Sequence, residues 1–290
     1  MSVVGAVFQP SFPPERLREA VTTAEEAGVD ELWLWEDCFR ESGIATAAAA
    51  LAWTSRISVG VGVLPMPLRN VALTAMEATT LARLFPGRFV LGVGHGVQSW
   101  MGQVGARPAS PLGLMREYVP ALQALLAGER VDADGRYVHL EGVELEWPPT
   151  LPVPVLAAGE GERTLRLTGE VADGTVLTAG TSPDGVRRAC ELIGEGMRAA
   201  DRYGEPHRVV VYLLAAFGAD ARERVTAEQD GWRFDESRRV AGAGTPADVA
   251  AVASRYLEAG ADAVVLQPVA DEEDLAAFSA GCGEVATLLR

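Results

Sequence analysis

Residues 57–96, ISVGVGVLPMPLRNVALTAMEATTLARLFPGRFVLGVGHG, set two short valine-rich runs, 57–64 and 89–94, on either side of a helical segment. Short β-branched runs alternating with amphipathic helices call for a parallel sheet with helical crossovers. The same rhythm extends outward in both directions, with further strands expected at 3–8, 31–36, 153–157, 174–178, 209–217 and 263–267, eight in all. Eight strands with helices between most of them fit a closed (β/α)8 TIM barrel better than an open doubly wound sheet, and none carries a GxGxxG dinucleotide turn. The segments AEEAGVD (24–30) and YLEAGAD (256–262) echo each other as helices closed by glycine ahead of strands two and eight.

A length of 290 residues suits one α/β barrel as well as two smaller domains. The expectation is one barrel domain over 1–290 with an insertion after strand 4, at about 97–147. It reads as a loop (97–111), a helix (112–127) and a hairpin (130–146) turning at 132–135. A polar, Arg-rich, glycine-punctuated stretch at 231–245 reads as a lid.

Hydrophobic residues at 48% and charged residues at 22% exclude a disordered or fibrous chain. The longest apolar runs, 44–53 and 209–217, are about half of the ~20 residues a membrane span needs. The first 16 residues lack the basic start, apolar stretch and cleavage site of an export signal, so the expectation is a cytoplasmic protein with no membrane partner. Against 40 acidic side chains stand 25 basic ones, a net charge of −15 that repels nucleic acid, so none is expected as a partner. All the basic residues are Arg; with abundant Ala and Gly, this looks like the codon bias of a GC-rich genome. Cys38, Cys190 and Cys282 are odd in number and widely spaced, which suggests neither a disulfide framework nor a zinc site, and no metal is expected.

Barrel function sits on the loops after the strands. Those strand ends read Gln9-Pro10, Glu36-Asp37-Cys38, Leu64-Pro65, Gly94-His95-Gly96, Ala158-Gly159, Thr178-Ala179-Gly180, Gly218 and Gln267-Pro268. Asp37, following the apolar run 32–35, suits a buried carboxylate bonding a ligand N–H, or else a helix N-cap. Cys38 is either a thiol beside a ligand or a small hydrophobe. His95, between glycines, is the best placed of the three histidines; His139 and His207 read as structural or solvated. Residues 157–165, AAGEGERTL, form a glycine turn opening a helix. Free N–H groups and the helix dipole make it a natural phosphate site, with Thr164 adding a hydroxyl and Arg163 a charge, or else a tight turn with no ligand. Trp33, Trp35, Trp100 and Trp232 are candidates for pocket or lid walls, with burial in the core the default for the first two.

The runs ELWLWEDCF (31–39), the 57–96 stretch, VPVLAAGEGERTLRLTGEVADGTVL (153–177) and EAGADAVVLQPV (258–269) resemble, in this order, the luciferase-like monooxygenase superfamily of flavin and deazaflavin barrels. The resemblance covers nearly the whole chain and implies FMN or coenzyme F420 bound at the C-terminal rim of the barrel. The lysine-free composition tilts the reading to the F420 branch. The resemblance further implies Asp37 near the ring, Gly62 and Val63 behind it with a cis peptide between them, and Gly94, His95 and Gly96 alongside. The turn of Ala158, Gly159, Glu160, Gly161, Glu162, Arg163 and Thr164 would wrap the phosphate. Many F420-dependent members have Asp-His where this chain has Asp37-Cys38, and some have an acidic residue near Val97. His95 is therefore the expected proton-handling residue, with Asp37, Cys38 and Glu36 behind it.

The activity so implied is an oxidoreductase passing a hydride between reduced F420 and a small organic substrate. The alternatives are an FMN-dependent monooxygenase, which would need a flavin reductase partner, and a catalytically silent flavin-binding barrel. A phosphosugar barrel would want a Lys base or metal carboxylates, and the chain has no Lys. The F420 tail, repelled by the net charge, would lean on arginines such as Arg69, Arg107 or Arg163. A homodimer is expected through barrel helices, the alanine-rich stretch 44–53 offering small side chains for close packing.

Overall fold

The computed structural model describes residues 2–232 and 236–290. Its strands, in chain order, are β1 (Val3–Val7), β2 (Glu31–Leu34), β3 (Ser58–Pro65), β4 (Phe89–Gly94), β5 (Val131–Asp134), β6 (His139–Val143), β7 (Val155–Ala158), β8 (Gly174–Leu177), β9 (Arg208–Phe217), β10 (Ala241–Gly244) and β11 (Ala263–Pro268). The helices are α1 (Leu17–Ala27), α2 (Gly43–Trp53), α3 (Val71–Leu84), α4 (Gln98–Gln103), α5 (Pro111–Leu126), α6 (Glu162–Val171), α7 (Pro183–Ala199), α8 (Ala221–Trp232), α9 (Pro246–Glu258) and α10 (Leu275–Leu289). Strands β1, β2, β3, β4, β7, β8, β9 and β11 pair in parallel in that order, and β11 returns to β1. This is the closed eight-stranded (β/α)8 barrel, and every strand expected from the sequence is in it. The two echoing segments end as expected, with Gly28 at φ +81° and Gly260 at φ +110° stopping α1 and α9.

The ninth parallel strand, β10, lies outside the ring and removes 241–244 from the stretch read as a lid. Ala241-Gly-Ala-Gly244 has no β-branched or aromatic residue, so nothing in it signals a strand. It forms because β9 outlasts its neighbour. β8 pairs with β9 only up to Leu177↔Val211, and β10 takes over the vacated edge from Ala241↔Leu214 to Gly244↔Phe217. Helix α8 occupies 231–232, while 233–235 lie outside the described residues.

Alternation along the strands fills the barrel with a column of side chains. At its floor Glu31 pairs with Arg208 (2.6 Å) across the interior, and its other oxygen accepts the Trp33 indole N–H (2.9 Å). Trp33, 0% exposed, occupies the middle. It fits because three neighbouring strand positions are glycine: a Cβ at Gly5, Gly60 or Gly62 would stand 3.1, 2.7 or 2.7 Å from its ring. Above it Tyr212 meets Trp33 edge-on at 6.0 Å and Trp35 at 5.6 Å, which carries the column to the C-terminal rim.

The insertion is partly an ordinary barrel part. Helix α5 packs between α3 and α6, where the fourth barrel helix belongs, and α4 interrupts the loop expected at 97–111. The hairpin is present, but its turn is at 135–138 and not at 132–135. The reason is remote in sequence. The Glu117 carboxylate on α5 accepts the N–H groups of Arg136, Tyr137 and Val138 (3.2, 2.7 and 3.1 Å), which pins those residues as the turn and leaves 131–134 extended. Helices α6 and α7 touch backbone to backbone. A Cβ on Gly169 would strike the Ile193 carbonyl, and one on Gly196 the Arg166 carbonyl.

Candidate active site

A cleft of about 830 Å³ opens at the C-terminal ends of the strands. Small-molecule sites span about 300–1,000 Å³. Its base is a bulge in β3. The β3–β4 register passes from Val61↔Leu91 to Leu64↔Val93, so Gly62 and Val63 are squeezed between two ladder positions. Their peptide bond is cis, as expected, and so is Cys38–Phe39, which was not anticipated. The buried Tyr212 hydroxyl donates to the Gly62 carbonyl (2.9 Å) from inside the barrel. Gly94 serves this bulge and does not line the cleft: a Cβ there would stand 2.5 Å from Val63 Cγ2.

His95 and Gly96 line the cleft directly after β4, with Gly96 at φ +65°. The His95 carbonyl accepts from Gln98 Nε2 (3.0 Å), while the ring Nε2 is buried and has no hydrogen-bond partner among the described residues. Burial lowers the pKa of this histidine below its usual 6.5, so the ring is neutral at pH 7. Across the cleft, burial raises the pKa of Asp37, opposed by a hydrogen bond from Trp35 and the charge of Arg40.

Glu36 also lines the cleft, but its carboxylate is committed. It takes both guanidinium nitrogens of Arg69 (2.6 and 2.9 Å) and the Gly43 N–H at the start of α2 (2.8 Å). Cys38 lies outside the lining, and burial followed by the charges of Glu36 and Asp37 pushes its thiol pKa up, away from thiolate chemistry.

On the opposite side, Ala158, Gly159, Glu160, Gly161 and Thr164 line the cleft, whereas Glu162 and Arg163 do not. Gly161 is the N-cap of α6 and supplies no side-chain cap, so the first N–H groups of the helix are open to a ligand. The space where a Gly161 Cβ would project is empty, and the Gly159 N–H is held by the Val176 carbonyl (3.3 Å). Glu160 accepts the Thr178 hydroxyl and faces Arg238 at 3.7 Å. Glu162 faces outward, paired with Arg166 (3.2 Å) and Arg188 (3.1 Å).

Trp35, Trp100 and Trp232 complete the walls, with Gln267 from β11; Trp33 is core. Tyr212 is the lining residue that sequence reasoning passed over. Its signal was available: Arg208, Val210 and Tyr212 alternate on the inward face of β9, so a tyrosine there points into a barrel already holding Glu31, Trp33 and Trp35. Among the described residues no cluster of three or more His, Cys, Asp or Glu is placed to hold a metal, and no helix is long and apolar enough to cross a membrane.

The family model for luciferase-like monooxygenases matches residues 3–288. The chain is 32% identical over 241 residues to an F420-dependent glucose-6-phosphate dehydrogenase of Beutenbergia cavernae, covering 76% of this chain and 69% of that one. It is 29% identical over 225 residues to the 5,10-methylenetetrahydromethanopterin reductase of Methanolobus tindarius, covering 78% and 68%. Among solved structures, an F420-dependent secondary alcohol dehydrogenase with an F420–acetone adduct superposes with a TM-score of 0.87 at 19% identity, covering 100% of this chain and 99% of that one.

Proposed function

Because the chain belongs to the luciferase-like monooxygenase family, we propose that it is an oxidoreductase that uses coenzyme F420 to transfer a hydride to or from a small organic substrate. One observation carries the reading. A single cleft joins a glycine-containing wall, Gly62 and Gly96, that a flat ring can approach closely to an uncapped helix N-terminus at Gly161 that suits a phosphate. The relative at 32% identity supports F420 by its named activity.

Bound there, the deazaflavin would supply the hydride chemistry. The chain would supply position and polarity. Gly62 and Val63, braced from below by Tyr212, would back the ring, and the N–H groups at the head of α6, with Thr164, would hold the phosphate. His95, neutral and with an unpartnered buried Nε2, would give or take the proton at the substrate's oxygen, with Asp37 beside the ring. Cys38, outside the cleft lining, would have no direct part. For the anionic tail, Arg69 is spent on Glu36 and Glu77, which leaves the exposed Arg107 and Arg163, the second within the phosphate turn. The reaction so read belongs in the cytoplasm.

Titration of the purified apoprotein with each cofactor tests this. F420 is expected to bind; FMN binding about tenfold tighter than F420, a gap of about 1.4 kcal/mol, would replace the reading with the flavin monooxygenase and its reductase partner.

We also propose a homodimer. The alanine-rich α2 turns Ala47, Ala50 and Leu51 into its own barrel, so the outer face of α3, with Leu73 (45% exposed), Met76 (57%) and Leu84 (67%), is the better candidate for the contact.

A further inference from the structure

Resting on the assignment of the cleft to a deazaflavin, we propose that the space left beside the cofactor takes an uncharged, largely apolar molecule with a single hydrogen-bonding group, and rejects phosphorylated, carboxylated and cationic ones. The cleft lining away from the phosphate turn includes Trp35, Asp37, Val97, Trp100, Trp232 and Gln267, and these we assign to that space. Three indoles and a valine make the wall apolar, and Gln267, 7% exposed, is neutral.

The charge argument decides the class. Among the described residues no arginine lines the cleft, and the chain has no lysine. Of the described cations close by, Arg69 lies between Glu36 and Glu77, Arg238 faces Glu160 at the phosphate turn, and Arg40 acts on Asp37 from outside the lining. His95 is neutral. A phosphate or carboxylate entering beside Asp37 would lose its hydration without gaining a counter-ion among the described residues.

The carboxylates are equally engaged. Glu36 is held by Arg69 and the Gly43 N–H, Glu160 by Thr178 and Arg238, and Asp37 by Trp35 with Arg40 nearby. Burial also raises the pKa of Asp37 against the Trp35 hydrogen bond and the Arg40 charge, so a cation meets carboxylates that already have partners. What remains for recognition is aromatic surface plus one hydrogen bond, at Asp37, His95 or Gln267, which suits a lone hydroxyl or carbonyl.

A matched set of probes tests this: 1-phenylethanol, mandelate with a carboxylate in place of the methyl, 1-phenylethylammonium with an ammonium in place of the hydroxyl, and glucose 6-phosphate. Their dissociation constants would be measured by saturation-transfer NMR on the F420-saturated protein and on the protein alone. The alcohol is expected to bind at least about tenfold tighter than each charged probe. Val97→Arg, at an exposed position ahead of α4, should raise mandelate affinity about tenfold. Any charged probe binding within about tenfold of the alcohol, binding by none of the four, or a Val97→Arg chain that still ignores mandelate would overturn the proposal. If F420 fails to bind while the alcohol still does, the cofactor assignment falls and the proposal about the aromatic space stands.

Discussion

Tyr212 and His95 show what a single side chain discloses before the fold is known. His95 stood out because two glycines flank it at a strand end, a local pattern. Tyr212 did not, because its importance comes from a partner 150 positions away, the carbonyl of Gly62. The glycine turn at 158–164 was legible for the same reason as His95, whereas the diversion of Gly94 to Val63 and of Glu36 to Arg69 depends on neighbours that no spacing reveals. Two substitutions separate the roles proposed at the site. Gly161→Val adds bulk where no protein atom lies within 4 Å, so it should leave the melting temperature unchanged and weaken F420 binding at least about tenfold, read by titration. His95→Ala should do the reverse, keeping cofactor affinity within about threefold while lowering turnover by roughly 10²-fold or more. Because burial lowers its pKa, the acid limb of the native activity profile belongs below pH 6.5, and a limb centred above that value would remove His95 from proton transfer.

At the scale of elements, the strands announced themselves by β-branched alternation, and the two departures have one physical origin. Both β10 and the 135–138 turn are made by something outside their own sequence, a spare edge of β9 in one case and the Glu117 carboxylate in the other. Burial works against the ionised Glu117, but the N–H groups of Tyr137, Val138 and Arg136 win, and its pKa falls below the usual 4.5. Glu117→Ala strips those N–H groups of their acceptor. The expected result is about 1–2 kcal/mol of lost stability by chemical denaturation, with faster amide exchange confined to 131–143. Unchanged exchange there would mean that Gly135 and the β5–β6 ladder fix the turn unaided.

For the molecule as a whole, acid sensitivity traces to a buried base. His207 bonds Thr175 through Nε2 (2.8 Å), its Nδ1 has no partner, and burial, then the charge of Arg202, pushes its pKa down to about 4. The unfolded chain, with an ordinary histidine near 6.5, binds the extra proton first. Stability is therefore full above about pH 6.5 and drains as pH falls toward 4, by on the order of 3 kcal/mol. Carboxylates held low, such as Glu25 and Glu117, yield only below about 4.5, so the upper part of that window belongs to the histidines. Melting curves between pH 7 and 4 should slope downward in the native chain and flatten in His207→Gln; identical slopes would assign the loss elsewhere. The assembly is tested by light scattering, where a mass near 30.7 kDa at micromolar concentration would exclude the dimer and Met76→Glu should produce it from a larger species.

The packing of Trp33 against Gly5, Gly60 and Gly62 also has a bearing on descent. None of these four positions can drift alone: a methyl added at Gly60 meets the indole at 2.7 Å, an overpacking worth about 1–3 kcal/mol, and a smaller residue at 33 leaves a hole. The lineage can therefore exchange them only in concert, and a relative that has lost the tryptophan is where Gly60 becomes free to grow, while Gly62 still faces Tyr212.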